Sequence, residues 1–225
     1  MKKTAPRWIR SQFISRLIQS KIGIILSYWL FQGMIYMDIR ESLFKISMDI
    51  FIVISLCLLG VPLIISFIIA HTLNMLFNGH YYVLMKNIDR GYTGPKKYIE
   101  YIENFHNRMD KKNYINGAAA YGSLSRYSFK TSSDFDIRIF PKEGFVNWCK
   151  SIFWVFQERL RAFLNKFPLD IYVFDMTVID NKMRADEPPI IFSDPEKLVA
   201  EKYQSHIPFR EFLSNFKEKH LHEND

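Results

Sequence analysis

Residues 121–140 read YGSLSRYSFKTSSDFDIRIF, and the placement of this stretch decides how the rest of the chain is organised. Residues 135–140 alternate apolar and polar, the period of a half-buried strand. Side chains two apart on a strand share a face. Asp134, Asp136 and Arg138 therefore project to one side, and Phe135, Ile137 and Ile139 to the core. Two carboxylates this close repel, and desolvation sharpens the repulsion, so burying both requires a compensating cation. A hard divalent ion fits: Mg²⁺ typically binds one or two carboxylates together with substrate phosphates. Gly122-Ser123 comes just before, at the end of a strand expected over 114–121. Glycine lets the backbone approach a ligand closely, and the neighbouring N–H groups and the Ser123 hydroxyl can hold phosphate oxygens. A phosphate cradle about ten residues ahead of a carboxylate pair describes a site for a metal–nucleotide complex. Each half alone is a weak signal. The plain alternative is a solvated turn followed by an exposed acidic strand edge.

The flanking residues supply the other elements. Residues 98–109 read as a helix. Phe145, Trp148, Cys149, Ile152, Phe156, Leu160, Phe163 and Leu164 form the apolar face of a helix over 144–167. Residues 169–174 read as a third strand and 190–192 as a short fourth, with helices expected over 195–203 and 208–219. Strands alternating with helices give an α/β or α+β unit of about 115 residues, a small mixed sheet flanked by helices. The break GYTGP at 91–95 marks its start, and a fragment beginning near Gly94 is expected to be soluble.

The N-terminal half is of another kind. Residues 50–70 read IFIVISLCLLGVPLIISFIIA, uncharged and about the length of a membrane-spanning helix. Pro62 is tolerated in such a helix. A buried core helix is the alternative. Residues 22–37 form a second uncharged segment that either spans or lies in the interface; the expectation is a transmembrane hairpin. His71, Asn74 and Asn78 share a helical face at its edge, read as a polar face at the interface or as a head-group contact. The net charge of +7 sits mostly at the N-terminus, where Lys2, Lys3, Arg7, Arg10, Arg16 and Lys21 meet no acid. Without those six, the 30 basic residues fall to 24 against 23 acidic ones, so the remainder is nearly neutral. This argues against a nucleic-acid partner and for an anionic membrane surface. Loop charges place both ends on the cytosolic side, with residues 38–49 outside. The expected layout is a basic N-terminus (1–21), a membrane anchor (22–77), a juxtamembrane linker (78–97), a catalytic domain (98–206) and a C-terminal helical tail (207–225). Cys57 and Cys149 show neither metal-ligand spacing nor a disulfide framework.

The combination resembles the DNA polymerase β-like nucleotidyltransferase superfamily. Its pattern is a hydrophobic-Gly-Ser turn, about ten residues, then Asp-hydrophobic-Asp-hydrophobic. Tyr121-Gly122-Ser123 supplies the first part and Asp134-Phe135-Asp136-Ile137 the second. It is closer still to the minimal nucleotidyltransferases, whose loop often reads Gly-Ser-x-Ala-Arg-Gly with Ser-Asp leading the pair. Here the residues are Gly122-Ser123-Leu124-Ser125-Arg126 and Ser133-Asp134, with Tyr127 where glycine is usual. The resemblance covers about residues 98–206. It implies catalytic and metal-binding roles for Asp134 and Asp136. It implies a third carboxylate on the following strand, for which Asp170 is the candidate and Asp175 the competitor. Gly122, Ser123 and Arg126 would bind the nucleotide, and Lys130 is either a further phosphate contact or a solvated charge. The implied cofactors are two Mg²⁺ ions, with Mn²⁺ able to replace them. The implied substrates are an NTP and an acceptor hydroxyl. The membrane segment suggests a lipid-linked or envelope-glycan acceptor. The alternatives are a protein acceptor, or a catalytically inactive membrane scaffold or nucleotide sensor.

Overall fold

The computed structural model describes residues 20–87, 92–178, 187–203 and 205–221. The chain is an α+β protein built on a five-stranded mixed sheet. Its helices are α1 (Lys21–Phe31), α2 (Ile39–Leu58), α3 (Leu63–Met75), α4 (Tyr81–Asn87), α5 (Pro95–Met109), α6 (Phe145–Asn165) and α7 (Phe209–Leu221). One π-helical turn, Leu76–His80, joins α3 to α4. The strands are β1 (Ile115–Tyr121), β2 (Phe135–Pro141), β3 (Leu169–Val173), β4 (Ile190–Ser193) and β5 (Ile207–Pro208), ordered β3-β2-β1-β4-β5. β1 runs antiparallel to β2 and β4, whereas β2/β3 and β4/β5 are parallel.

The period-two reading of β2 holds. Phe135, Ile137 and Ile139 are fully buried in a core shared with Ile171 of β3 and with α5, α6 and α7. Asp136 and Arg138 lie on the other face, whose far end is closed by Phe140, Tyr172, Phe174, Val199 and Tyr203. The parallel β2–β3 pair needs a crossover, and α6 is that connection. It stops at Lys166, which takes a left-handed backbone (φ 51°) and donates its N–H to the α6 carbonyls.

One expected element differs, and one strand was not expected. Residues 195–203 hold only the 3-10 turn Ala200–Lys202. The Asp194 carboxylate accepts from the N–H groups of Val199 and Ala200 at 3.0 and 2.8 Å, and Lys197 adopts φ 56°. Local side-chain capping and a left-handed residue replace the helical ladder. The two-residue strand β5 is too short to carry a periodic signal.

The apolar stretch 50–70 is not one helix. It is divided at residues 59–62, where Gly60 sits at φ 85° and Pro62 opens α3 without an N–H to offer. Among the described residues no single helix is long and apolar enough to cross a membrane. The helical pair Leu63–Asn78 and Tyr81–Asn87 would be long enough together but bends by 84°. The α4 portion of that pair buries Tyr81, Tyr82 and Val83 against the protein, beside Phe163 of α6. Residues 22–37 also divide, into the 11-residue α1 and a turn through Gln32 and Gly33 at positive φ.

α2 and α3 form an antiparallel hairpin, with Cys57 beside Ser66, Asp49 beside His71 and Lys45 beside Asn74. Its base is docked on the sheet. Arg40 stacks over Trp148 at 3.9 Å and reaches Asp175 at 3.5 Å. The buried Glu41 accepts from the Val173 N–H at 2.9 Å and pairs with Arg159 of α6. Residues 38–49, expected on the other side of a membrane, therefore lie against the half of the chain that carries the sheet. His71, Asn74 and Asn78 do share a face, but they are buried. They bond to Asp49, to the Lys45 carbonyl and to one another, and Arg159 donates to Asn78 at 2.9 Å. The polar face expected at an interface is the inside of a bundle.

Candidate active site

β1 ends at Tyr121 and the chain turns at Gly122, whose φ of 82° suits glycine. A side chain here would also have to displace the Asp136 carboxylate. A Cβ at this position would lie 2.6 Å from the Asp136 Oδ2. Gly122 thus brings the backbone directly over the Asp136 carboxylate. The loop closes with the N–H groups of Arg126, Tyr127 and Ser128 bonding back to Gly122, Leu124 and Ser123 carbonyls. Tyr127 takes φ 51°, the left-handed conformation that glycine adopts at no steric cost. Ser123 Oγ is buried and has no hydrogen-bond partner among the described residues. An unpaired buried hydroxyl in a glycine turn is suited to receive a ligand oxygen.

The register brings the acids together. Tyr121 pairs with Asp136 across β1–β2, and Asp136 pairs with Asp170 across β2–β3. Asp136 and Asp170 therefore stand side by side on one face, with Asp134 immediately before β2. Burial first, then the negative charges of Asp170 and Asp134, push the Asp136 carboxyl well above the usual carboxylate range. Two cations offset this charge as the site stands. Arg138 reaches Asp170 at 3.5 Å, and Lys86 of α4 reaches Asp134 at 3.8 Å. Asp175 is elsewhere, accepting from Thr177 N and Oγ1 and facing Arg40. Of the two candidates for a third acid, Asp170 is the one beside the pair. Lys130 is exposed, in a turn held by Ser133.

Among the described residues no preassembled group of three or more metal-ligating side chains is found. The chemistry of the donors nonetheless fits Mg²⁺. Asp134, Asp136 and Asp170 offer only hard carboxylate oxygens, and at Asp136 the nearby Arg138 does not outweigh burial and the two neighbouring carboxylates.

One participant was missed in the sequence. Glu187, buried at the end of the 179–186 segment, fills the loop: Gly122 N–H, Ser125 Oγ and Arg126 Nη1 all converge on its Oε1, at 2.8, 2.9 and 2.7 Å. Three donors on one anionic oxygen is the arrangement a phosphate oxygen would use. No periodic or motif signal marks Glu187, since its partners lie more than 60 residues away. A cleft opens next to Asp134, lined by Tyr81, Tyr82, Thr93, Ser132 and the cations Lys86 and Lys166. It too was hidden in the sequence, because α4 belongs to the segment read as a linker.

Neither models of known protein families nor the curated proteins give a match to this chain.

Proposed function

We propose that the chain is a membrane-associated, Mg²⁺-dependent nucleotidyltransferase that moves a nucleoside monophosphate from an NTP to an acceptor hydroxyl. The observation that carries the reading is the register: Asp136 is bracketed by Asp170 on one strand and by the Gly122 turn on the other. Carboxylates and an anion-cradling turn are the two halves of a metal–nucleotide site, and the resemblance of 121–140 to the minimal nucleotidyltransferases joins them.

In this reading the acceptor oxygen attacks the α-phosphorus. An acceptor O–P bond forms, the bond to the bridging oxygen breaks, pyrophosphate leaves and the acceptor proton is released. Asp134, Asp136 and Asp170 would hold two Mg²⁺ ions, which supply charge neutralisation and acidify the acceptor hydroxyl. The Gly122 N–H, the Ser123 hydroxyl and Arg126 position the phosphates once Glu187 yields its place. Lys86 and Lys166 give the cleft beside Asp134 a positive rim, which suits an acceptor that itself bears a phosphate. The apolar exterior of the helical hairpin supports a lipid-linked acceptor over a nucleic acid, for which the near-neutral catalytic half offers little attraction.

The test is pyrophosphate release and labelled-nucleotide transfer with Mg²⁺, using each NTP and a membrane extract as acceptor source. Turnover that disappears in Asp136→Asn supports the reading. Unchanged Mg²⁺-dependent nucleotide binding and turnover in both Asp134→Asn and Asp136→Asn would overturn it. A second reading, a nucleotide-sensing scaffold without turnover, has one observation in its favour: Glu187 already occupies the cradle. It predicts nucleotide binding with no pyrophosphate release from any NTP.

A further inference from the structure

The α1–α3 bundle is polar inside and apolar outside. Its interior holds Gln32, Glu41, Lys45, His71, Asn74 and Asn78, all buried. Its exterior presents Ile22, Leu26 and Leu30 of α1, Ile50, Phe51 and Ile54 of α2, and Phe67 and Ile68 of α3. At the turn the exposure is greatest: Leu58 is 83%, Leu59 79% and Ile64 75% exposed. In water this arrangement leaves a contiguous apolar surface unpaid by any burial. In hydrocarbon it is the expected one, since each of these interior side chains is hydrogen-bonded or ion-paired within the protein, Gln32 through its Nε2 and Glu41 through Arg159.

We infer that the α2–α3 hairpin enters a bilayer from one side and turns back within a single leaflet. The inference rests on the membrane association proposed above and fixes its geometry. Above the Asp49–His71 pair, residues 50–70 contain no charge. From Asp49 to Leu58 the helix rises about 13 Å at 1.5 Å per residue, close to half of a hydrocarbon core of about 30 Å. The turn at 59–62 then reverses the chain before the opposite leaflet. The polar base cannot follow the tip inward, because Arg40 and Glu41 are tied to Asp175, Arg159 and β3 of the catalytic half. The occupant of the surface is thus a lipid leaflet. Charge complementarity supports this choice: the six basic residues among 1–21 immediately precede the apolar residues of α1 in the sequence, and their charge suits an anionic head-group layer.

The experiment uses the full chain added to phosphatidylcholine vesicles containing a minority of phosphatidylglycerol. With Cys57→Ser and Cys149→Ser as background, single cysteines are placed by Ser47→Cys at the base and Leu59→Cys at the tip. The expected result is flotation with the vesicles, labelling of the base cysteine by an external impermeant maleimide, and protection of the tip cysteine from both external and vesicle-trapped reagent. Labelling of the tip by trapped reagent would mean that the hairpin crosses. Labelling of the tip by external reagent on floating protein would mean that it lies on the surface. Either overturns the single-leaflet inference while leaving membrane association intact. Failure of the full chain to float overturns both. Leu59→Asp with Ile64→Asp, two exposed sites that leave the core unchanged, is expected to abolish flotation with the circular dichroism spectrum retained. Flotation undiminished in that variant also overturns the inference.

Discussion

Asp136 is where the chemistry and the stability of the site meet. Its carboxyl is raised by burial and by Asp170 and Asp134, so the folded chain holds its proton more tightly than the unfolded chain does. The sign follows. The stabilisation is fully present below the ordinary carboxylate value of about 3.9 and is lost as pH rises through the raised value. At neutral pH without metal, Asp136→Asn should therefore raise the melting temperature, and Mg²⁺ should stabilise the parent chain more than the variant; thermal denaturation at two pH values checks both. In turnover the same change, or Asp134→Asn, should cost more than the roughly 10–100-fold that loss of an outer-shell partner costs a metal site. Asp170→Asn should reduce turnover more than nucleotide binding. Asp175→Asn, which removes only contacts to Thr177 and Arg40, should leave turnover within about twofold, the size of a surface pair. A dead Asp175→Asn beside an active Asp170→Asn would reverse this assignment. Glu187 competes with phosphate for Gly122 N–H and Arg126, so Glu187→Gln should tighten nucleotide binding a few-fold, the size of an ion pair with a half-exposed arginine. Calorimetric titration with a non-hydrolysable NTP measures it, and weakened binding would show that Glu187 orients the loop for its ligand.

Among the elements, β2 was the most legible. Its alternation placed Phe135, Ile137 and Ile139 in the core and the acids opposite, and the α6 apolar face was readable for the same reason: each pattern repeats at the period of its own element. The hairpin was legible in composition and misleading in length. Twenty-one uncharged residues satisfy a count for spanning, yet Gly60 and Pro62 sit together at the middle and permit a reversal that hydropathy does not register. The junction between hairpin and sheet is electrostatic. Arg159 joins Glu41, Asn78 and the Ile171 carbonyl, all in a buried setting. Removing one partner leaves an uncompensated charge, so Arg159→Met or Glu41→Gln should destabilise the protein by about 3–5 kcal/mol, read from chemical denaturation in detergent. The double variant should recover part of that loss, because neither charge is then left alone.

For the molecule as a unit, several contacts cross the boundary expected at 91–95. Glu41 satisfies the Val173 N–H, Phe77 and Tyr81 pack on Phe163, and Arg40 covers Trp148. A fragment beginning near Gly94 would expose these contacts and strand Arg159 without its carboxylate. It is now expected to aggregate, whereas one beginning at Ser20 should be recovered as a monodisperse species in detergent; size-exclusion chromatography of the two decides. The sequence alone carried the α+β class, four of the five strands, the acid-bearing face and the candidate residues Gly122, Ser123, Arg126, Asp134, Asp136 and Asp170. Those features rest on local periodicity and on short-range spacing, which a linear reading can measure. The closeness of Asp170 to Asp136, the seating of Glu187 in the loop, the Lys86 cleft and the inverted polarity of the helical bundle came from folding. Each depends on residues tens of positions apart being brought together by strand pairing and helix packing, and no local pattern encodes which distant group will complete a buried charge.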